Sequence, residues 1–288
     1  MSKELLDRKS IDISPSKTKD EENFPVASFL IEKRLRTHVH AFYSCVRVAD
    51  DIADNPKFNE AEKTELLEKF ETILLGQGSD KTIFPEAWAH LESARETNVS
   101  TQHARNLIQA FKLDAKKSRY RNWSELINYC RYSAAPVGRY LLDLHEEKSP
   151  KIYPKTDALC LALQILNHIQ DCHQDYQTLD RIYIPLDLLR KEGAKPESLG
   201  SSKSTPEIRR VFDTLLERTQ NLLLEACKAP TEMKNRRLRI ETSVIISLAQ
   251  RLNHKLRFND PIEQPVNLNK GEKVFSFIIG ALHPRGLF

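Results

Sequence analysis

From about Phe24 to Phe258, apolar residues recur every three or four positions in long runs, interrupted only by short proline-containing or polar breaks. That is the period of the α-helix, and runs of this length leave little chain for strands. Helices are expected near residues 28–54, 60–75, 83–93, 100–114, 123–145, 155–178, 205–228 and 235–257. Breaks fall at Asn55-Pro56, Gly76-Gln77-Gly78, Ser149-Pro150, Ile184-Pro185 and Gly200-Ser201. Glycine, which tightly turned sheets and nucleotide-cradling loops both consume, supplies only 8 of 288 residues. The expected fold class is therefore all-α. Residues 1–22 are charged and aperiodic and read as a flexible polar N-terminal tail, leaving residues 23–288 as one all-α domain without internal repeat or linker. The stretch Val274 to Leu282, VFSFIIGAL, is apolar but far too short to span a bilayer. It reads as a packed terminal helix, with a peripheral membrane contact as the other reading.

The charge balance, 44 basic against 40 acidic residues, gives a formal +4. That excess is small and not gathered on one evident face, so no nucleic-acid partner is expected. The run Lys116 to Arg121 reads as a solvated helix end or, functionally, as a substrate entrance or membrane-facing patch. Arg236, Arg237 and Arg239 are a similar group, suited to anionic lipid head groups. Five scattered cysteines (Cys45, Cys130, Cys160, Cys172 and Cys227) contain no C-x-x-C, which fits reduced thiols in the cytoplasm. The first residues hold no apolar signal-peptide core, so a soluble cytoplasmic protein is expected.

The first chemical signal is Tyr43-x-x-x-Arg47-x-x-Asp50-Asp51-x-x-Asp54. On a helix, Leu35, Val39, Phe42, Val46, Ala49 and Ala53 form one apolar stripe, and Tyr43, Arg47, Asp50 and Asp54 form a second beside it. Two carboxylates one turn apart repel each other. A hard divalent cation removes that penalty, and Mg²⁺ takes a few carboxylate oxygens while keeping waters and phosphate oxygens. The alternative is an acidic surface helix end in which Arg47 bridges to Asp50.

About 120 residues later, Gln164, Asn167, Asp171 and Asp175 step by three, four and four along one helical face, with Leu159, Ala162, Leu166 and Ile169 on another. Amides and carboxylates in one stripe of an otherwise apolar helix make a cavity wall, and two such helices face to face would hold several Mg²⁺ ions around a diphosphate. Arg181-Ile-Tyr183-Ile-Pro185 follows, bringing a cation and a phenol suited to phosphate oxygens. Between the acidic stripes lies Tyr129-Cys-x-x-Ser133-Ala134-x-Pro136-Val137-Gly138-Arg139. Its proline kinks a helix, and its small residues admit either a passing apolar ligand or a close helix.

Taken together, these four motifs resemble those of the squalene and phytoene synthases, over roughly residues 23–258. The resemblance implies the single-domain isoprenoid (terpenoid) synthase helical bundle with a central cavity. It implies Mg²⁺ held by Asp50, Asp54, Asn167, Asp171 and Asp175. It gives catalytic parts to Tyr43, Arg47 and Tyr183, and substrate contacts to Arg47, Tyr129, Ala134, Gly138, Gln164, Gln170, Arg181 and Tyr183. Asn23-Phe-Pro-Val-Ala-Ser28 and Ala110-Phe-x-x-Asp114-x-x-x-x-Arg119-Tyr120-x-x-Trp123 look most like the hydroxysqualene-forming branch of hopanoid gene clusters. Gln170, where the condensing branches commonly carry Arg, matches that branch too, whereas His168 and His173 depart from the pattern.

The implied reaction is Mg²⁺-assisted ionisation of presqualene diphosphate, with water capturing the rearranged cation to give hydroxysqualene and diphosphate. The implied pathway partners are a presqualene diphosphate synthase and a hydroxysqualene reductase, with a peripheral inner-membrane contact. Head-to-head condensation of two prenyl diphosphates, with or without NADPH reduction, is the neighbouring alternative. A non-catalytic scaffold for such a synthase is the other.

Overall fold

The structure is a computed structural model that describes residues 31–283. The expected tail at 1–22 and the Asn23–Ser28 motif lie outside the described residues. The chain divides into two compact units, residues 1–116 and 117–288. Among the described residues there is no strand, only an isolated bridge between Arg119 and Ile182.

The first unit holds α1 (Lys33–Asp54), α2 (Glu60–Leu74), α3 (Pro85–Thr97) and α4 (Gln102–Asp114). The first helix packs chiefly on α3 and α4 and buries Leu35, Val39, Phe42, Cys45, Ala49, Ile52 and Ala53. Val46, expected in that stripe, is only half-buried. A capping box starts α2, with Asn59 accepting from the Glu62 amide while the Glu62 carboxylate accepts from the Asn59 amide. Gly76 follows it at φ 76°, the left-handed conformation that stops a helix.

His90 of α3 is fully buried, edge-on to Phe42 of α1 with ring centroids 5.3 Å apart. Burial, with His103 nearby, pushes its imidazole down to about 4. A depressed histidine makes the unfolded chain the better proton acceptor. Stability is therefore lost as pH falls from the ordinary 6.5 towards 4, by up to roughly 1.4 kcal/mol per pH unit. Urea unfolding across that range is expected to show a steeper acid slope in the parent than in His90→Gln, and equal slopes would refute the assignment.

The second unit contains α5 (Trp123–Ser133), α6 (Ala135–Leu144), α7 (Tyr153–Gln170), α8 (Cys172–Leu179), α9 (Leu186–Glu192), α10 (Pro206–Ala226), α11 (Ala229–Glu232), α12 (Arg236–Phe258) and α13 (Lys270–Leu282). Its centre is α7, which packs against α5, α6, α10 and α12 and buries Leu159, Ala162, Ile165, Leu166 and Ile169. Side-chain caps start α5 (Asn122), α10 (Thr205), α12 (Asn235) and α13 (Asn269).

The single helix expected over 123–145 is two helices that meet at Ala134, whose φ of −134° leaves the helical region. Pro136 lacks the amide hydrogen that would continue the ladder and crowds the carbonyl one turn back. The helix expected over 155–178 is likewise divided at Asp171 (φ −94°, ψ 1°). There the i→i−4 bonding persists, because the Asp171 amide donates to the Asn167 carbonyl and the Asp175 amide to the Asp171 carbonyl, both at 2.8 Å. The polar stripe therefore survives the division. No described helix is long and apolar enough to cross a membrane.

Candidate active site

In the first unit, Tyr43, Arg47, Asp50 and Asp54 lie half-buried along α1, at the border of its buried face. Arg47 donates from Nη1 to Asp50 Oδ2 at 3.2 Å, and its Nε lies 3.5 Å from Asp51 Oδ1. Loss of solvent pushes the Asp50 carboxyl up to about 8, helped by the charges of Asp54, Asp114 and Asp51 and opposed by Arg47. Asp114, buried at the end of α4, thus joins the acidic group, and Asp51 is its buried inner member. The sequence pattern alone assigns neither a role, although Asp114 stands in the Ala110-Phe-x-x-Asp114 motif.

Four carboxylates against one guanidinium leave negative charge that a proton or a cation must offset. Every donor is a hard oxygen, so the set fits Mg²⁺. Among the described residues, no three acidic, histidine or cysteine side chains already form a closed metal site. An ion that keeps waters and phosphate oxygens does not need one.

In the second unit, Gln164, Asn167, Asp171 and Asp175 are all half-buried along α7 and α8, beside the buried Ile165, Leu166, Ile169 and Cys172. Asp180, at φ 47°, then reverses the chain. The following segment runs beside residues 118–121, with the Ile182 amide donating to Ser118 O at 2.8 Å and the Leu186 amide to Tyr120 O at 2.9 Å.

That course carries Arg181 and Tyr183 inward, where both are buried. Tyr183 stacks on His168 with ring centroids 3.7 Å apart and planes at 17°, and on Tyr120 at 5.4 Å and 22°. Its hydroxyl accepts from Arg181 Nη1 at 3.2 Å and shares a 3.3 Å hydrogen bond with the Tyr129 hydroxyl. A phenol that accepts from a guanidinium donates its own proton more strongly. Burial and the Arg181 charge push His168 down to about 3, so it stays neutral and adds no second cation.

The structure brings together Tyr129, Arg181 and Tyr183 from the expected set, and adds Tyr120 and His168. Gln170 is placed differently. It is buried, and its amide donates to Val266 O at 2.6 Å and to Asn267 Oδ1 at 3.2 Å, which ties α7 to the segment leading into α13. Ala134 is buried at the α5–α6 junction. At Gly138 a Cβ would stand 2.6 Å from Cys160 Sγ and 2.7 Å from Thr156 Cγ2, so its missing side chain admits α7. A surface depression lined by Asn59, Glu60, Thr64, Glu65, Glu68 and Lys116 contains none of the expected site residues.

Residues 17–270 match the family described as squalene/phytoene synthase, and the chain belongs to that family. It is 44% identical to the hydroxysqualene synthase of Rhodopseudomonas palustris, covering 92% of this chain and 89% of that protein. The solved squalene synthase HpnC from Alicyclobacillus acidocaldarius is 27% identical with a TM-score of 0.71, over 81% of this chain and 86% of that one. A dehydrosqualene synthase structure, at 21% identity, superposes with a TM-score of 0.76 over 92% of both chains. The all-α fold is thus the isoprenoid synthase helical fold.

Proposed function

We propose that residues 23–288 act as one catalytic domain that converts presqualene diphosphate and water to hydroxysqualene and diphosphate. The observation that carries this reading is the 44% identity to a hydroxysqualene synthase over 92% of the chain. Gln170 in place of the Arg common in condensing relatives points the same way. Asp50 and Asp54 on one stripe, and Asn167, Asp171 and Asp175 on the other, would hold Mg²⁺. When bound, the ions supply positive charge to the departing diphosphate.

Arg47 carries a permanent charge beside its acidic stripe and suits a diphosphate oxygen, with Tyr43 one turn away on the same face. Tyr183, polarised by Arg181, offers a phenolic proton to an anionic oxygen, and the buried Tyr129 restrains it. Gln164 extends the second stripe towards the substrate. The cyclopropylcarbinyl cation left by ionisation must rearrange before water captures it, so an apolar enclosure has to limit water to one molecule at the end. The substrate would come from a presqualene diphosphate synthase and the product would pass to a reductase. Both are long hydrocarbons, which suits work at the periphery of the cytoplasmic membrane.

The test is product analysis by mass spectrometry, with Mg²⁺ and either presqualene or farnesyl diphosphate, each with and without NADPH. Hydroxysqualene from presqualene diphosphate without NADPH, with farnesyl diphosphate untouched, is the expected result. Presqualene diphosphate or dehydrosqualene from farnesyl diphosphate would move the chain to a condensing branch. No turnover of either by folded protein would favour a scaffold.

A further inference from the structure

The second unit carries a helix that wears its apolar side outward. The α13 residues that are buried are Ser276 and Gly280. A Cβ at Gly280 would fall 2.5 Å from Val244 Cα and 2.6 Å from Val244 N, so this glycine lets α13 lie directly on the α12 backbone. The opposite face is apolar. Val274, Ile278 and Leu282, spaced by four, are 58%, 47% and 68% exposed, and Phe275 beside them is 50% exposed. Phe258, at the end of α12, is 75% exposed. The family match ends at residue 270, where α13 begins, so Val274, Phe275, Ile278 and Leu282 lie beyond it and Phe258 within it.

We infer that the outer face of α13, with the end of α12, docks on an anionic lipid surface. A ridge this exposed is costly in water unless something apolar receives it. The 13 residues of α13 extend for about 20 Å, too short to cross a hydrocarbon core of roughly 30 Å. Such a helix lies in the interface, apolar face down.

Charge selects the occupant. Lys270 and Lys273 are exposed in the first turn of α13. Arg251 of α12 stands over the Phe275 ring at 4.6 Å. The acid carried by α13, Glu272, is already taken by Lys255 at 2.8 Å. An apolar ridge with a basic rim matches acyl chains beneath anionic head groups. A second copy of the chain would also cover the ridge, and the oligomeric state in the test separates it from lipid. The segment leading into α13 is held by Gln170, which directly precedes Asp171, so a side-chain hydrogen bond joins the lead-in of the docking helix to the second acidic stripe's helix. The inference rests on α12 and α13 and stands whether or not the proposed reaction is right.

The test is flotation of the purified full chain with vesicles of phosphatidylcholine alone or mixed with phosphatidylglycerol. The parent is expected to float with the anionic vesicles, less at high salt, and hardly with the neutral ones. Ile278→Glu/Leu282→Glu alters only exposed side chains. It should keep the parent's circular dichroism and melting while weakening partition by at least about tenfold. Lys270→Glu/Lys273→Glu should lose the preference for anionic lipid. No flotation of the parent, or equal flotation of the parent and Ile278→Glu/Leu282→Glu, would overturn the inference. So would a parent dimer in solution that Ile278→Glu/Leu282→Glu converts to monomer, since the ridge would then seat a second copy.

Discussion

Asp50→Asn and Asp171→Asn are each expected to lower kcat by at least about a thousandfold while the helices that carry them stay folded. Asparagine keeps the shape and one oxygen but not the charge that binds a divalent ion. At Asp50 the structure gives a second readout. Loss of solvent and the charges of Asp54, Asp114 and Asp51 already raise its carboxyl against Arg47. A carboxyl pushed up to about 8 is mostly protonated at neutral pH, a neutral group whose shape asparagine keeps, so metal-free Asp50→Asn should melt no lower than the parent. Adding Mg²⁺ with inorganic diphosphate should raise the melting temperature of the parent and leave that of either variant nearly unmoved. Near-normal turnover in either variant, or an undiminished Mg²⁺ shift, would remove that residue from the metal set. A variant that fails to fold would instead show its carboxylate serving as a structural partner.

The stripes on α1 and α7 were legible because both depend on local geometry. Residues three and four apart share a helical face wherever the helix is placed, and the ladder carries Asn167, Asp171 and Asp175 through the division at Asp171. What the sequence could not show depends on distant residues. Asp114 sits on another helix, and its charge helps raise Asp50. The His168–Tyr183 stack exists because the segment after Asp180 turns back along Ser118 to Arg121. Gln170 meets Val266, 96 positions on. The apolar run in α13 was visible, but not which side it would bury. Ser276 and Gly280 settle that, because only small side chains allow the helix onto the Val244 backbone.

Gly138→Val is expected to cost about 3 kcal/mol of stability, and Gly138→Ala about 1 kcal/mol. Alanine would gain up to about 1 kcal/mol in helix propensity. Its Cβ, however, would stand 2.6 Å from Cys160 Sγ and 2.7 Å from Thr156 Cγ2 on α7. Both distances are well inside van der Waals contact, and both neighbours are buried, so making room disturbs a packed interior. Valine adds two methyl groups to the same clash, so α6 must move off α7. Cys160→Ala removes one of the two obstructing atoms. Combined with Gly138→Ala, it should recover more stability than the single effects predict, an interaction term that urea unfolding of the four proteins measures. The small residue would have a different use if Gly138 admitted a ligand instead. Gly138→Val would then melt like the parent and fail only in turnover, with KM raised. Coupling to Cys160 selects helix contact, because a ligand path gives those two residues no reason to sense each other in the absence of substrate.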